Sequence, residues 1–145
     1  MKAMEELTIV LSKYKYRGEF IFRSGDKLSK LCKDVPNEVG VYIISVLKED
    51  LEEVVYLGAS GRMYKNGAFG KQKLHKRLQN MQNSKTRRQD YYDQELAYCD
   101  YDGIRVRWYL TFVDEHRDLP MYVEALLLQT YFIQYEKLPK WNSYA

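Results

Sequence analysis

The stretch from residue 40 to residue 77 constrains the fold more than any other, because two strand patterns and a basic helical pattern follow each other closely there. The runs 40–44 and 54–58 are rich in β-branched residues, and each carries one tyrosine and a terminal glycine. The polar segment between them predicts a hairpin. A glycine-rich loop at 58–70 and a helical pattern at 71–78 come next. We therefore expect tyrosines on adjacent strands close to cations on a helix.

The remainder of the chain alternates helical and strand patterns. Helical segments are predicted at 4–13, 26–33, 90–98 and 120–136, and strands at 19–23, 41–47, 53–57 and 104–113. The strand at 104–113 shows the clearest period of two, with Ile104, Val106 and Trp108 alternating with polar side chains. This mixture predicts a fold of the α/β or α+β class.

The length and composition favour a single domain spanning residues 1–145. A chain of 145 residues with 46% apolar and 14% aromatic residues suffices for one sizeable core. We divide it into an N-terminal extension, 1–36, and a core, 37–145. The apolar runs are too short to cross a bilayer, and the N-terminus lacks the apolar segment of a signal peptide, so we expect a cytoplasmic protein without a membrane partner. The two cysteines, Cys32 and Cys99, are predicted to be free thiols.

Positive charge is concentrated in one part of the chain. Although the net charge is only +3, residues 54–89 contain no Asp or Glu. That window holds nine cations: Arg62, Lys65, Lys71, Lys73, Lys76, Arg77, Lys85, Arg87 and Arg88. Solvated helix faces usually mix both signs of charge, whereas a block of one sign beside tyrosines favours a polyanion partner such as nucleic acid.

Glu124 stands out in the last predicted helix. Leu127, Leu128 and Tyr131 follow it by three, four and seven residues, so the helix projects Glu124 from the face that it buries. A carboxylate on an apolar face is costly unless it is hydrogen-bonded, paired or bound to a metal. The sequence leaves two alternatives for Glu124. Its carboxylate reaches solvent or pairs with Arg105 or Arg107, or it has a functional role.

Together these segments resemble the GIY-YIG nuclease family. The matching runs occur in the family's order and are Gly40-Val41-Tyr42, Tyr56-Leu57-Gly58, Leu74-His75-Lys76-Arg77-Leu78, Glu124-Ala125-Leu126-Leu127-Leu128 and Pro139-Lys140-Trp141-Asn142. The match extends from about residue 39 to residue 142. It implies a small α/β domain with a central three-stranded antiparallel sheet flanked by helices. It also implies a DNA-cutting activity that depends on a divalent metal, Mg²⁺ or Mn²⁺.

The resemblance implies a role for five residues. Tyr42 and Tyr56 would position and deprotonate the attacking water, one of them as general base. Arg77 would hold the scissile phosphate in a bidentate manner, and Glu124 would be the single carboxylate on the metal. Asn142 would support the site by hydrogen bonding.

The tyrosines would need a cation beside them, because the pKa of a free phenol is about 10. We expect Arg62, Lys65 or Lys73 to supply that positive charge. The residues predicted to contact nucleic acid are Arg62, Lys65, Lys71, Lys73, Lys76, Arg87 and Arg88.

Two departures from the family pattern bear on its biology. Many members carry a histidine one turn beyond the arginine, where this chain has Met81. The enlarged loop at 58–70 and the extension at 1–36, the two expected specificity elements, give a layout nearest the restriction-endonuclease branch. We therefore expect a DNA endonuclease of restriction or mobile-element and phage type, with a homodimer allowed for. The alternatives are an inactive nucleic-acid-binding module of the same fold and a protein-interaction domain.

Overall fold

Helices and strands follow each other along the whole of the computed structural model, which describes residues 2–145. The helices are α1 (Lys2–Leu11), α2 (Leu28–Leu31), α3 (Leu74–Arg77), α4 (Arg88–Cys99) and α5 (Pro120–Tyr135). The strands are β1 (Arg17–Phe22), β2 (Gly40–Lys48), β3 (Leu51–Ser60), β4 (Gly103–Leu110), β5 (Phe112–Val113) and β6 (His116–Arg117). The fold is of the α+β class, as predicted.

The main sheet is antiparallel and has four strands in the order β1-β4-β2-β3. The sequence-based expectation of three strands was wrong, because β1 from the N-terminal extension pairs with β4 along its whole length. The two tyrosine-bearing strands, β2 and β3, form the predicted hairpin. Tyr42 on β2 lies opposite Gly58, where an added Cβ would stand 2.5 Å from the tyrosine ring. This glycine therefore makes room for the buried tyrosine.

Helices cover both faces of the sheet. On one face, α2, α3 and α4 pack over a core that includes Leu28, Leu74 and Tyr92. On the other face, α1 and α5 pack over a core that includes Leu7, Val123 and Leu127. The tyrosines of the hairpin belong to the first face, so they lie beneath α3 and α4.

Three element boundaries differ from the predictions. The basic helix predicted at 71–78 is only one turn long, because Lys73 has extended backbone angles (φ −89°, ψ 177°) and α3 begins after it. The strand predicted at 104–113 ends at Leu110, and β5 pairs with β6 instead. The hairpin turn is tighter than the predicted 48–52, because Glu49 adopts a positive φ of 56° and donates its N–H to Asp102.

α5 presents one face to the sheet. The helix ends at Tyr135, because the next residue, Glu136, adopts a left-handed conformation (φ 57°). Val123, Leu127 and Tyr131 are buried on the inner face. Within residues 2–145, no helix has the length and apolar character needed to cross a membrane.

Candidate active site

The two predicted tyrosines lie side by side. Tyr42 is completely buried and Tyr56 is half-buried, and their rings stack with centroids 5.9 Å apart and planes at 26°. Burial and the neighbouring Tyr42 raise the pKa of Tyr56 to about 12, although Arg77 and Arg88 act in the opposite direction. Tyr56 therefore keeps its proton at neutral pH.

Arg88, the first residue of α4, contacts both tyrosines of this pair. Its guanidinium donates a hydrogen bond of 3.2 Å from Nη2 to the hydroxyl of Tyr42. The guanidinium carbon lies 5.3 Å from the ring centre of Tyr42 and 5.8 Å from that of Tyr56. The side chain is 0% exposed.

The prediction that Arg88 contacts nucleic acid was therefore wrong, because a fully buried side chain cannot reach a phosphate at the surface. The cations that act on Tyr56 are Arg77 and Arg88; a helper role for Arg62, Lys65 or Lys73 stays a prediction. No periodicity in the sequence distinguishes Arg88 from the exposed Arg87 beside it. Its burial is a consequence of how α4 packs on the sheet.

Arg77 ends the short helix α3 and is half-buried. Leu74 and Leu78 on either side of it are buried in the core, which fixes the direction of the turn. The Tyr42 hydroxyl raises the pKa of Arg77, and burial opposes that shift. The Nε of Arg77 is buried and has no hydrogen-bond partner among the described residues. This arginine thus contacts Tyr42 and keeps one donor, Nε, without a protein partner.

Glu124 lies half-buried on the inner side of α5, as the spacing predicted. Burial raises its pKa, while Arg77 and the backbone of Ala59 at the end of β3 oppose the shift. The alternative of an ion pair with Arg105 or Arg107 does not occur. Those arginines bind the Glu52 carboxylate instead, with an Nη1–Oε1 distance of 2.8 Å for Arg105.

Arg77 and Glu124 line the same cleft, which has a volume of about 390 Å³. The end of β3, the loop after it and the start of α5 form its walls, with Ala59, Ser60, Gly61, Arg62, Tyr64, Gly70, Lys71, Gln72 and Met121. Comparison with protein-family models, curated proteins and solved structures finds no match for this chain. The functional assignment therefore depends on this cleft.

A larger cavity of about 800 Å³ lies beside α1 and the edge strand β1. Three of its charged side chains contact one another, since Arg107 binds Glu52 and also faces Glu19. The smaller cleft is the stronger candidate because it combines Arg77 with the one carboxylate of its walls, Glu124.

Asn142 closes the site from the C-terminal side. Its amide oxygen accepts from the N–H of Leu57 and its amide nitrogen donates to the carbonyl of Leu57, each at 3.0 Å. Trp141 adds a backbone hydrogen bond of 2.8 Å to Val55. These contacts hold β3 on both sides of Tyr56, so Asn142 supports the tyrosine through the backbone.

We expect Asn142→Ala to lower the free energy of unfolding by about 1–3 kcal/mol, because Leu57 loses both hydrogen-bond partners. Urea denaturation monitored by circular dichroism measures this change. Ser143→Ala, at the exposed neighbouring position, is the matched control. A loss no larger in Asn142→Ala than in this control would contradict the supporting role.

The cations predicted to contact nucleic acid, apart from Arg88, lie at or near the surface. Arg62, Lys65, Lys71, Lys76 and Arg87 are exposed, and Lys73 is half-buried. The loop after β3 is ordered as a small hairpin: Met63 pairs with Phe69, and Gly70 donates to the carbonyl of Arg62 at 2.9 Å. A ring contact of 4.9 Å between Phe69 and Phe112 anchors it to β5. The hairpin therefore holds its cations at the mouth of the cleft.

The donors in the cleft suit a metal that retains much of its water. Among residues 2–145, no group of three or more His, Cys, Asp or Glu side chains is arranged to hold an ion. Glu124 alone offers a carboxylate in the cleft. Mg²⁺ is commonly bound through one or two carboxylates, with water and substrate phosphates completing its shell. The residues present thus fit Mg²⁺ or Mn²⁺ and do not fit a zinc site, which takes three or four protein ligands.

Proposed function

We propose that this protein is a metal-dependent DNA endonuclease that hydrolyses phosphodiester bonds. The observation that carries the proposal is the cleft shared by Arg77 and Glu124, with the Tyr42–Tyr56 pair close behind Arg77. Five separate parts of the chain supply these groups and Asn142. The order of the same residues along the chain is the basis of the resemblance to GIY-YIG nucleases, which supports the same conclusion.

The tyrosines would handle the proton of the attacking water. Water would form a bond to phosphorus and pass a proton to a tyrosine oxygen, and that tyrosine would release a proton to solvent. The bond from phosphorus to the leaving oxygen would break, and the leaving oxygen would take up a proton from solvent. Tyr56 keeps its own proton at neutral pH, so it suits orientation of the water by hydrogen bonding. Tyr42 accepts a hydrogen bond from the guanidinium of Arg88, which holds a positive charge beside its oxygen. We therefore assign the general base to Tyr42.

Arg77 would bind the scissile phosphate. Its guanidinium is charged, faces the cleft and has a free Nε. A planar fork of N–H donors matches two phosphate oxygens and stabilises the charge that grows on them in the transition state.

Glu124 would hold the divalent ion, Mg²⁺ or Mn²⁺. When bound, the ion supplies positive charge to the phosphate oxygens and to the leaving group. Burial keeps the carboxylate in a less polar setting than bulk water, which strengthens its attraction for a cation. Arg77 lines the same cleft, and its positive charge limits the number of cations that the cleft accepts.

DNA is the proposed partner because two exposed cations, Arg62 and Lys71, line the cleft. They belong to a block of cations that no acidic residue interrupts from residue 54 to residue 89. The two cysteines are free thiols, and this state suits the reducing cytoplasm as the proposed compartment. A restriction, mobile-element or phage role and a homodimeric active form are compatible with this surface.

Incubation of a supercoiled plasmid with the purified protein tests the function. We expect nicked or linear product with Mg²⁺ or Mn²⁺ and intact plasmid with EDTA. DNA binding measured in EDTA separates the alternatives: binding without any cutting in either metal favours the inactive binding module, and absence of both favours the protein-interaction domain.

DNA affinity should fall steeply with added salt, because cations that neutralise phosphates release counterions. Lys71→Ala, which removes a cation at the mouth of the cleft, should make the logarithmic salt slope shallower by about one. Fluorescence anisotropy in EDTA over a series of salt concentrations measures it. Lys48→Ala, at the distant turn of the hairpin, is the control and should leave the slope unchanged. A slope that Lys71→Ala leaves unchanged would remove this lysine from the interface.

A further inference from the structure

The burial of Arg88 is unusual because no carboxylate compensates its charge. The side chain is 0% exposed, and none of the ion pairs in the described part of the chain includes it. Its Nε and Nη1 are buried and make no hydrogen bond there. Removing a guanidinium from water without an anionic partner is costly. A buried arginine of this kind calls for a reason beyond packing.

The groups that face Arg88 are phenols. Tyr42 from β2 accepts its hydrogen bond, Tyr56 from β3 lies beneath the guanidinium, and Tyr92 follows one turn later on α4. The other titratable groups around it are Cys32 on α2, which is buried, and Arg77 on α3, which carries the same charge. Glu124 on α5 acts on Tyr56 from the cleft side. Among these groups, Tyr42 is the one that accepts a hydrogen bond from the Arg88 guanidinium.

The backbone holds Arg88 in place independently of its side chain. Its N–H donates to the carbonyl of Asn80 at 2.8 Å, and α4 begins at this residue. One turn later, the Tyr92 ring packs edge-on against Phe22, with ring centroids 5.3 Å apart. It is tilted against Trp141, with ring centroids 6.2 Å apart. These contacts fix the first turn of α4, and so they fix the position from which the Arg88 guanidinium reaches Tyr42.

We propose that Arg88 is a positioning residue for Tyr42: its guanidinium donates a hydrogen bond that fixes the tyrosine oxygen and holds a positive charge beside it. The role rests on the proposed hydrolysis. With one direction taken by Arg88, the remaining lone pair and the O–H bond point elsewhere around the oxygen. Burial lowers the pKa of Arg88 but the phenols raise it by more, so the arginine remains charged for this purpose.

Nuclear magnetic resonance of the metal-free protein tests the coupling without any nuclease activity. Labelling of tyrosine Cζ, with Tyr42→Phe used for assignment, gives the signal of Tyr42. Arg88→Met should change the chemical shift of Tyr42 more than that of any other tyrosine except Tyr56 and Tyr92, which also face Arg88. Conversely, Tyr42→Phe should move the guanidinium signals of Arg88 more than those of other arginines. A Tyr42 signal unmoved in folded Arg88→Met, or Arg88 signals unmoved in Tyr42→Phe, would overturn the proposal.

Single-turnover cleavage with Mg²⁺ at saturating enzyme tests the consequence. Arg88→Met should slow cleavage by about a hundredfold or more, as removal of one charge-stabilising donor does, and leave DNA affinity within several-fold. Arg88→Lys should recover part of the rate. Arg107→Met, which removes a half-buried arginine on the opposite face, controls for lost packing and should cut at a near-normal rate.

The outcomes distinguish this inference from the function on which it rests. If the wild type cuts DNA and folded Arg88→Met cuts within threefold of it, the positioning role is wrong and the nuclease stands. If the wild type does not cut, the proposed function is wrong, and the positioning role falls with it. If Arg88→Met does not fold, Arg88→Lys decides: an unchanged rate together with unmoved Arg88 signals in Tyr42→Phe would overturn the proposal.

Discussion

Glu124→Gln should reduce DNA cleavage by about a thousandfold or more while leaving DNA binding in EDTA nearly intact. Glutamine keeps the shape of the side chain and can still accept a hydrogen bond from the backbone of Ala59. It loses the negative charge that a metal ligand in this cleft must supply. Single-turnover rates over a range of Mg²⁺ concentrations, together with the melting temperature, measure the effect.

Glu115→Gln is the matched control, because Glu115 is exposed at the turn between β5 and β6 and does not line the cleft. It should cut at the wild-type rate. Since burial raises the pKa of Glu124, cleavage by the wild type should also decline on acidification at a higher pH than an ordinary carboxylate would give. Wild-type cutting by Glu124→Gln, or cutting in EDTA, would remove the metal assignment.

Arg77→Lys should slow the chemical step by about a hundredfold or more, by analogy with the removal of one transition-state donor. An ammonium carries the same charge but lacks the planar fork that binds two phosphate oxygens. Binding should therefore stay within several-fold of the wild type. Single-turnover rates at saturating enzyme separate the chemical step from affinity.

Lys76→Ala gives the opposite pattern in the same helical turn. Lys76 is exposed, whereas Arg77 is half-buried in the cleft. Loss of Lys76 should weaken DNA binding and leave turnover at saturation near normal. Normal chemistry in Arg77→Lys would mean that the phosphate lies on another residue.

Much of the fold could be predicted because its signals are local. The tyrosine hairpin follows from two apolar, β-branched runs joined by a polar segment, and α5 follows from its proline start and its apolar spacing. The position of Glu124 on the inner face also follows from helix geometry alone. These are short-range properties, which a chain specifies residue by residue.

The parts that were missed depend on contacts between distant segments. A strand was predicted at 19–23, but not its place in the main sheet, because β1 joins that sheet by pairing with β4, which lies far along the chain. Arg88 belongs to the block of cations predicted to bind nucleic acid, and the other cations in that prediction lie at or near the surface. Only the packing of α4 on the sheet buries Arg88. Burial of a charge is a tertiary property, so a charge pattern cannot predict it.

The most direct test of the account removes a single oxygen atom from the centre of the proposed site. Tyr42→Phe and Tyr98→Phe are compared with the wild type in single-turnover cleavage of one DNA with Mg²⁺. Tyr42 is buried beside Arg88, whereas Tyr98 is 85% exposed on α4. We predict a loss of about a hundredfold or more for Tyr42→Phe and no change for Tyr98→Phe. Equal rates for the two variants would contradict the assignment of Tyr42 and the residues around it as the active site.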